Sequence, residues 1–444
     1  PSYESRGALY MSQQKFETRQ IHAGQTPDPT TGSQALPIHL TNAYVFPDTE
    51  AAANRFALSE LGPIYTRLGN PTTEVIENRM ASLEGGVGAL FVASGMAATS
   101  YAILNVAEAG DHIVASPSLY GGTQNLFKHT LPKLGVEVTF VEDPDDLDAW
   151  RGAIKPNTKA FFGETIGNPR QDVFDIENIA AIAHDEAGVP LIIDNTLATP
   201  YSLRPIEWGA DVVVHSATKY LCGHGTAMGG VIIDSGNFDY TQHPERFPGF
   251  NQPDESYHGI VYGRDMGVGS PLGANLSYIL KIRVQLLRDT GAAISPMNSF
   301  LIAQGLETLS LRVERHIENA QKVAQWLEAR DDVSATIYAG LESCPWYERG
   351  RHYAPEGVGA IVSFEIRGAE DNEEAARAFV DALELHSLVA NLGDVRSLVA
   401  HPSSTTHSQL SPEEKRAAGV GPGTVRLSVG LEHVDDIIAD LQKG

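Results

Sequence analysis

The chain has 444 residues, 42% hydrophobic and 20% charged, enough apolar material for a large core and two or three domains. A formal net charge of −24 with no basic run argues against phosphate-backbone binding, so no nucleic-acid partner is expected. No apolar run is long enough to span a bilayer, no secretory signal pattern opens the chain, and two cysteines, Cys222 and Cys344, argue against a disulfide scaffold; the expectation is a cytoplasmic, reducing location with no membrane partner.

Residues 1–10 precede an internal methionine, Met11, and are set aside from fold reasoning as an extension. Residues 11–48 are rich in Thr, Pro, Gly and Gln with little periodicity and read as an extended arm. Tyr65-Thr66-Arg67-Leu68-Gly69-Asn70-Pro71 follows. Arg67 is either an ordinary loop arginine or a planar, bidentate phosphate ligand. After Pro71 a helix carries Val75, Ile76, Arg79, Met80 and Leu83 and stops at Gly85-Gly86.

From Gly88 the pattern alternates. Strands are expected at residues 89–93, 112–115, 136–141, 159–163, 190–194, 211–215 and 229–233. Helices are expected at 97–106 and 176–187, the second with Asp175 as a cap and Gly188 as a stop. Such alternation predicts an α/β domain with a mainly parallel seven-stranded sheet covered on both faces. Residues 234–273 are Pro-, Gly- and aromatic-rich, and a loop that long is expected over or beside an active-site mouth. Leu309, Val313, Ile317, Ala320, Ala324 and Leu327 make a helical stripe. It leads into a smaller α+β layer with strands at 333–337, 360–366, 388–392 and 425–429 and helices at 372–385 and 434–441. The expected division is 1–70 (extension and arm), 71–295 (large domain) and 296–444 (C-terminal α+β domain).

The central stretch is Val212-Val213-Val214-His215-Ser216-Ala217-Thr218-Lys219-Tyr220. Three β-branched residues make a buried strand that runs into two hydroxyls and a lysine. A lysine desolvated there loses its proton and serves as nucleophile or base. Ser216 and Thr218 suit phosphate binding. Asp194 ends another buried strand, Ile192-Ile193-Asp194, where open α/β sheets place ligands; an aspartate there pairs with a protonated ring nitrogen. Leu90-Phe91-Val92-Ala93-Ser94-Gly95-Met96 reads strand, tight turn, helix start, which is an anion site. A lysine for an aldehyde, an aspartate for a pyridine nitrogen and a phosphate cradle are the parts that pyridoxal 5'-phosphate (PLP) requires.

Ser94-Gly95-Met96-Ala97-Ala98, Asp194-Asn195-Thr196 and Ser216-Ala217-Thr218-Lys219-Tyr220, in that order and spacing, resemble the trans-sulfuration (Cys/Met metabolism) family of PLP enzymes, from about Thr18 to the C-terminus. The resemblance implies a fold-type I PLP-dependent transferase in which Lys219 binds PLP covalently and moves protons. It also implies that Tyr65 and Arg67 reach the PLP phosphate across a dimer interface, with Gly95, Met96, Ser216 and Thr218 as its other ligands. Tyr120, in Ser118-Leu119-Tyr120-Gly121-Gly122-Thr123, would stack on PLP and shuttle protons; Asn168 would lie near the PLP ring oxygen and the substrate carboxylate. On residues alone these two read equally as a packed tyrosine and a turn residue before proline. Arg426, inside the alternating strand Thr424-Val425-Arg426-Leu427-Ser428, needs an anionic partner. That partner is a structural carboxylate or, as the resemblance implies, the substrate's α-carboxylate.

Asn391 in Asn391-Leu392-Gly393-Asp394 stands where cystathionine enzymes usually carry serine, and Gly122 where methionine γ-lyases usually carry cysteine. With the long loop, this resembles the O-acetylhomoserine sulfhydrylase branch. The implied reaction joins O-acetyl-L-homoserine and sulfide into L-homocysteine and acetate, in a homo-oligomer, a tetramer built from dimers that share active sites, with Asn391 on the substrate. A cystathionine γ-synthase or γ-lyase is the alternative within the family, and a non-catalytic PLP-fold scaffold the alternative outside it. A nicotinamide enzyme is rejected because Gly223-x-Gly225-x-x-Met228 lacks the third glycine and precedes a strand. No His/Cys cluster has metal-ligand spacing, so no metal is expected.

Overall fold

The structure, a computed structural model, describes residues 13–444, so the expected N-terminal extension lies outside the described residues. Seven strands form the larger sheet: β1 (Gly88–Val92), β2 (His112–Ala115), β3 (Glu137–Phe140), β4 (Thr158–Glu164), β5 (Leu191–Asp194), β6 (Val212–Ser216) and β7 (Gly230–Asp234). Their order is β1-β7-β6-β5-β4-β2-β3. Strand β7 pairs antiparallel with both β1 and β6, and the remaining pairs are parallel. Six strands therefore share one direction. Val92, Ala115, Glu164, Asp194 and Ser216 end on a common edge.

Apolar β-branched and aromatic runs explain the strands. Val212, Val213 and Val214 are buried, as are Leu191, Ile192 and Ile193 and the whole of β4. Helix α1 (Pro71–Glu84) covers one face. Asn70 caps it by accepting from Thr72 N–H, and Gly85 ends it at φ 81°. Helix α2 (Gly95–Leu104) follows β1 directly, with Ser94 Oγ accepting from Ala97 N–H. The expected helix at 176–187 is present as an α-turn segment, Ile176–Ala181, that widens into a π-turn, Ile182–Ala187, and ends at Gly188 with φ 64°. Asp175 does not cap it. Its carboxylate is taken by Asn178 Nδ2 instead.

The smaller sheet runs β10-β11-β12-β9-β8, with β8 (Val333–Ile337), β9 (Ile361–Ile366), β10 (Ser387–Leu388), β11 (Leu398–Ala400) and β12 (Thr424–Ser428). Helix α3 (Pro296–Glu307) and the striped α4 (Leu309–Glu328) join the two sheets. The strand expected at 388–392 shrinks to its first residue. Gly393, at φ +76°, brings the chain so close to the Lys219 loop that a Cβ would stand 2.9 Å from Tyr220 N. Residues 390–392 are thereby drawn out of the sheet and into the wall of a cavity.

Residues 234–273 do not line that cavity. Tyr240 stacks on Phe250 with centroids 4.2 Å apart and on Tyr278 at 5.8 Å, with Phe247 edge-on. Arg246 donates to the Thr158 and Pro156 carbonyls, and Lys159 Nζ to the Arg246 carbonyl. These contacts hold residues 240–250 at the start of β4, the opposite end of the sheet, where burial of their aromatic side chains decides their place over the expectation of a loop at the site mouth. Further along, Tyr257 lies against the Arg288 guanidinium, and the Arg288 carbonyl accepts from Arg67 Nε.

Candidate active site

At the C-terminal edge of the sheet lies a cavity of about 460 Å³. Gly95, Met96, Tyr120, Asn168, Asp194, Ser216, Thr218, Lys219, Asn391 and Arg426 all line it. Of the residues singled out in the sequence, Tyr65 and Arg67 are the two that do not. Tyr65 is 39% exposed, and Arg67 Nε donates to the Arg288 carbonyl on the outer surface of the same chain.

Topology explains the position of Lys219. Because β7 returns antiparallel to β6, the connection at 217–229 is held at the strand ends. Ala217 N–H donates to the Gly229 carbonyl and Gly229 N–H to Thr218 Oγ1, which closes the loop. Lys219 Nζ donates to Asn391 Oδ1 at 2.8 Å. Burial, then the nearby Arg426, pushes the Lys219 amine down to about 8. Neutral amine is therefore present near pH 7 to 8. Arg426 is 4% exposed and pushed down to about 10 by burial. Its Nη2 donates to the Asn391 carbonyl, and its buried Nε has no partner. Among the described residues no carboxylate comes within ion-pair distance of Arg426. The structural-salt-bridge alternative is absent, and a buried cation lacking its anion marks a ligand position.

Facing these cations are two acids. Asp194 Oδ1 accepts from Thr196 N–H at 2.9 Å and from Thr196 Oγ1–H at 2.5 Å. Burial raises its pKa and these two bonds oppose the rise. Glu164, at the end of the adjacent strand, accepts from Tyr120 N–H at 2.6 Å. Tyr120 itself is 48% exposed and has its ring folded over Gly122, where a Cβ would stand 2.5 Å from Tyr120 Cε1.

The cavity suits PLP on three observations. The turn Ser94–Gly95 touches Ser216, and a Cβ on Gly95 would stand 2.7 Å from Ser216 Cβ, so only glycine leaves the α2 N-terminus bare for an anion beside the two hydroxyls. Asn168 Oδ1 is buried without a partner at the cavity wall, ready for a ligand donor. Asp194 and Lys219 line the same space, as a ring nitrogen and an aldehyde on one flat molecule require. Sequence reading missed Thr196, which holds Asp194, and Glu164. Asp-x-Thr is an Asx-turn signal and could have revealed the first. The second was visible as another acid ending a buried strand.

This fold and this cavity define a fold-type I PLP enzyme. The sequence pattern of the Cys/Met metabolism PLP-dependent enzyme family matches residues 17–444, and the chain belongs to that family. Its relatives include an O-acetyl-L-homoserine sulfhydrylase of Corynebacterium glutamicum, 53% identical over 100% of this chain and 99% of that protein. Another of that description, from Leptospira meyeri, is 52% identical over 97% of this chain and 96% of its own. A crystal structure from Campylobacter jejuni, described as an O-acetylhomoserine (thiol)-lyase with N'-pyridoxyl-lysine-5'-monophosphate, matches with a TM-score of 0.91 and 42% identity. The match covers 97% of this chain and 99% of that one.

Proposed function

We propose that the chain catalyses the PLP-dependent exchange of acetate for sulfide on O-acetyl-L-homoserine, giving L-homocysteine. The observation that carries this reading is the Lys219–Asn391–Arg426 arrangement, in a chain about half identical to sulfhydrylases. It joins a titratable amine, a neutral amide and an unpartnered cation on one side of one cavity. Among the described residues of the cavity wall, Lys219 and Arg426 are the cations. A second carboxylate, as in a succinyl ester, would find no third cation from this chain, which favours the neutral acetyl ester.

The roles follow from position. Lining one cavity, the Gly95 and Met96 N–H groups with Ser216 and Thr218 would hold the PLP phosphate, Asp194 would serve the ring nitrogen, and Asn168 would serve the ring oxygen and the substrate. PLP, when bound, supplies the electron sink for charge at the substrate's Cα. Arg426 binds the α-carboxylate through its free Nε. Lys219, kept partly neutral, takes the proton from Cα and manages the proton at Cβ that must leave before acetate departs from Cγ. Tyr120 closes the open side as a flat, half-exposed ring and passes protons. Asn391 keeps the Lys219 amine aimed into the cavity and contacts the substrate. Tyr65 and Arg67, off the cavity of their own chain, complete the phosphate site of a neighbouring subunit. This requires a homo-oligomer, with a tetramer built from two such dimers as the assembly and the cytoplasm as its location.

The test gives the purified protein O-acetyl-L-homoserine with equal sulfide and cysteine. Mostly homocysteine is expected. Mostly cystathionine would move the protein to the γ-synthase branch and leave the PLP site intact.

A further inference from the structure

Strands β4 and β5 pair in parallel with Glu164 opposite Asp194. Paired residues of neighbouring strands project to the same face roughly 5 Å apart. Both side chains line the cavity. Two carboxyl groups on such neighbouring positions in a buried site disfavour each other's ionisation, and the proton is favoured on the one whose charged form has fewer donors. Asp194 has two, the N–H and O–H of Thr196. Glu164 has one, the N–H of Tyr120. Of the other charged groups around Glu164, Asp172, from the turn after Gly167, adds negative charge and favours the neutral form. The cations Lys219 and Arg426 line the same cavity and act the other way, but among the described residues neither forms an ion pair with Glu164, and Lys219 is bonded to Asn391. On the far side of β6, the His215 imidazole supports the charge of Asp194 instead. Burial and the charge of Asp194 hold the Glu164 carboxyl well above the usual carboxylate range.

We propose that Glu164 is the proton-bearing member of a Glu164–Asp194 carboxyl pair, a neutral acid that anchors the Tyr120 backbone and leaves Asp194 as the single anion for a protonated ring nitrogen. Glu164 is thus a positioning residue. It acts through Tyr120, whose backbone it holds, and through Asp194, whose charge it preserves by keeping its own proton. A glutamine is its isostere in that state. This inference rests on the family's cofactor and not on the choice of acetyl ester or of sulfide.

The test has one readout that needs no cofactor. The infrared difference spectrum between the PLP-free wild-type protein and Glu164→Gln at neutral pH should show the carbonyl stretch of an un-ionised carboxylic acid. In the wild type that band should fade only on alkaline titration. The band persisting in Glu164→Gln and vanishing in Asp194→Asn would assign the proton to Asp194 and overturn the proposal, as would no band at all. The second readout is PLP affinity. Glu164→Gln should bind PLP about tenfold more tightly than Glu164→Ala, because the amide still accepts from Tyr120 N–H. Equal weakening in the two variants would mean that the charge on Glu164 is what the site needs, against the proposal. If both variants fold poorly, the difference spectrum between the wild type and Asp194→Asn decides: an acid carbonyl band lost with Asp194 overturns the proposal, and its absence from that difference supports it.

Discussion

Two lysines in this molecule share an acidity and almost nothing else. Burial pushes both Lys219 and Lys281 down to about 8. Lys281 is 5% exposed and donates to the Asn105 carbonyl and to its Oδ1, with its ammonium 5.1 Å from the Phe250 ring centroid. It lines no part of the active-site cavity. Lys219 donates to a single amide oxygen and faces a 460 Å³ space with an arginine whose Nε has no partner and two acids around it. Desolvation therefore makes an amine titratable near neutrality, but an open position beside it makes that amine useful. Lys281 closes a helix end beside an aromatic cluster, and its depressed basicity is a cost of packing.

Substituting each lysine should separate them. Lys219→Ala should lower turnover by at least about 10⁴-fold while the protein still folds, since nothing else in the cavity can carry the Cα proton from that side. Residual turnover near wild type in a steady-state assay would mean that another group is the base. Lys281→Met should leave turnover alone and change the pH dependence of stability. The folded-state value of about 8 lies below the ordinary 10.5, so the unfolded chain holds more protons between those two pH values. Wild-type stability should accordingly gain from this group as pH rises from 8 to 10.5, by at most about 1.4 kcal/mol per pH unit. Chemical denaturation at several pH values should show that gain flattened in Lys281→Met. The smallest effect is expected at Gly122. A Cβ there meets the Tyr120 ring at 2.5 Å, so Gly122→Ala should turn the ring and lower kcat a few-fold, roughly 1 kcal/mol, with little change in melting temperature. Unchanged kcat would detach Tyr120 from proton transfer.

Much of this is legible in the amino-acid sequence. Strand and helix patterns carried the α/β alternation because buried parallel strands are near-continuous apolar runs, as in Val212–Val214. The stripe from Leu309 to Leu327 was readable because helix α4 shows one apolar face and one charged face. Residues 388–392 were not readable. Their apolar alternation resembles a strand, but contact with the Lys219 loop overrides it. The place of residues 234–273 depended on aromatic stacking with Tyr278, a partner outside the segment.

By itself, then, the sequence determined the cofactor chemistry. Lys219, Asp194, Gly95 and Ser216 each sit at the end of a strand or the start of a helix, and that local geometry is dictated by residues next to them in the chain. The tertiary structure alone decided the partnerships between distant segments. Asn391 reaches Lys219 from 172 positions away, Glu164 stands opposite Asp194 through strand pairing, and Arg426 is left, among the described residues, without a carboxylate. Such contacts depend on strand order within a sheet and on where the two sheets meet, and no local pattern of propensity or spacing encodes either.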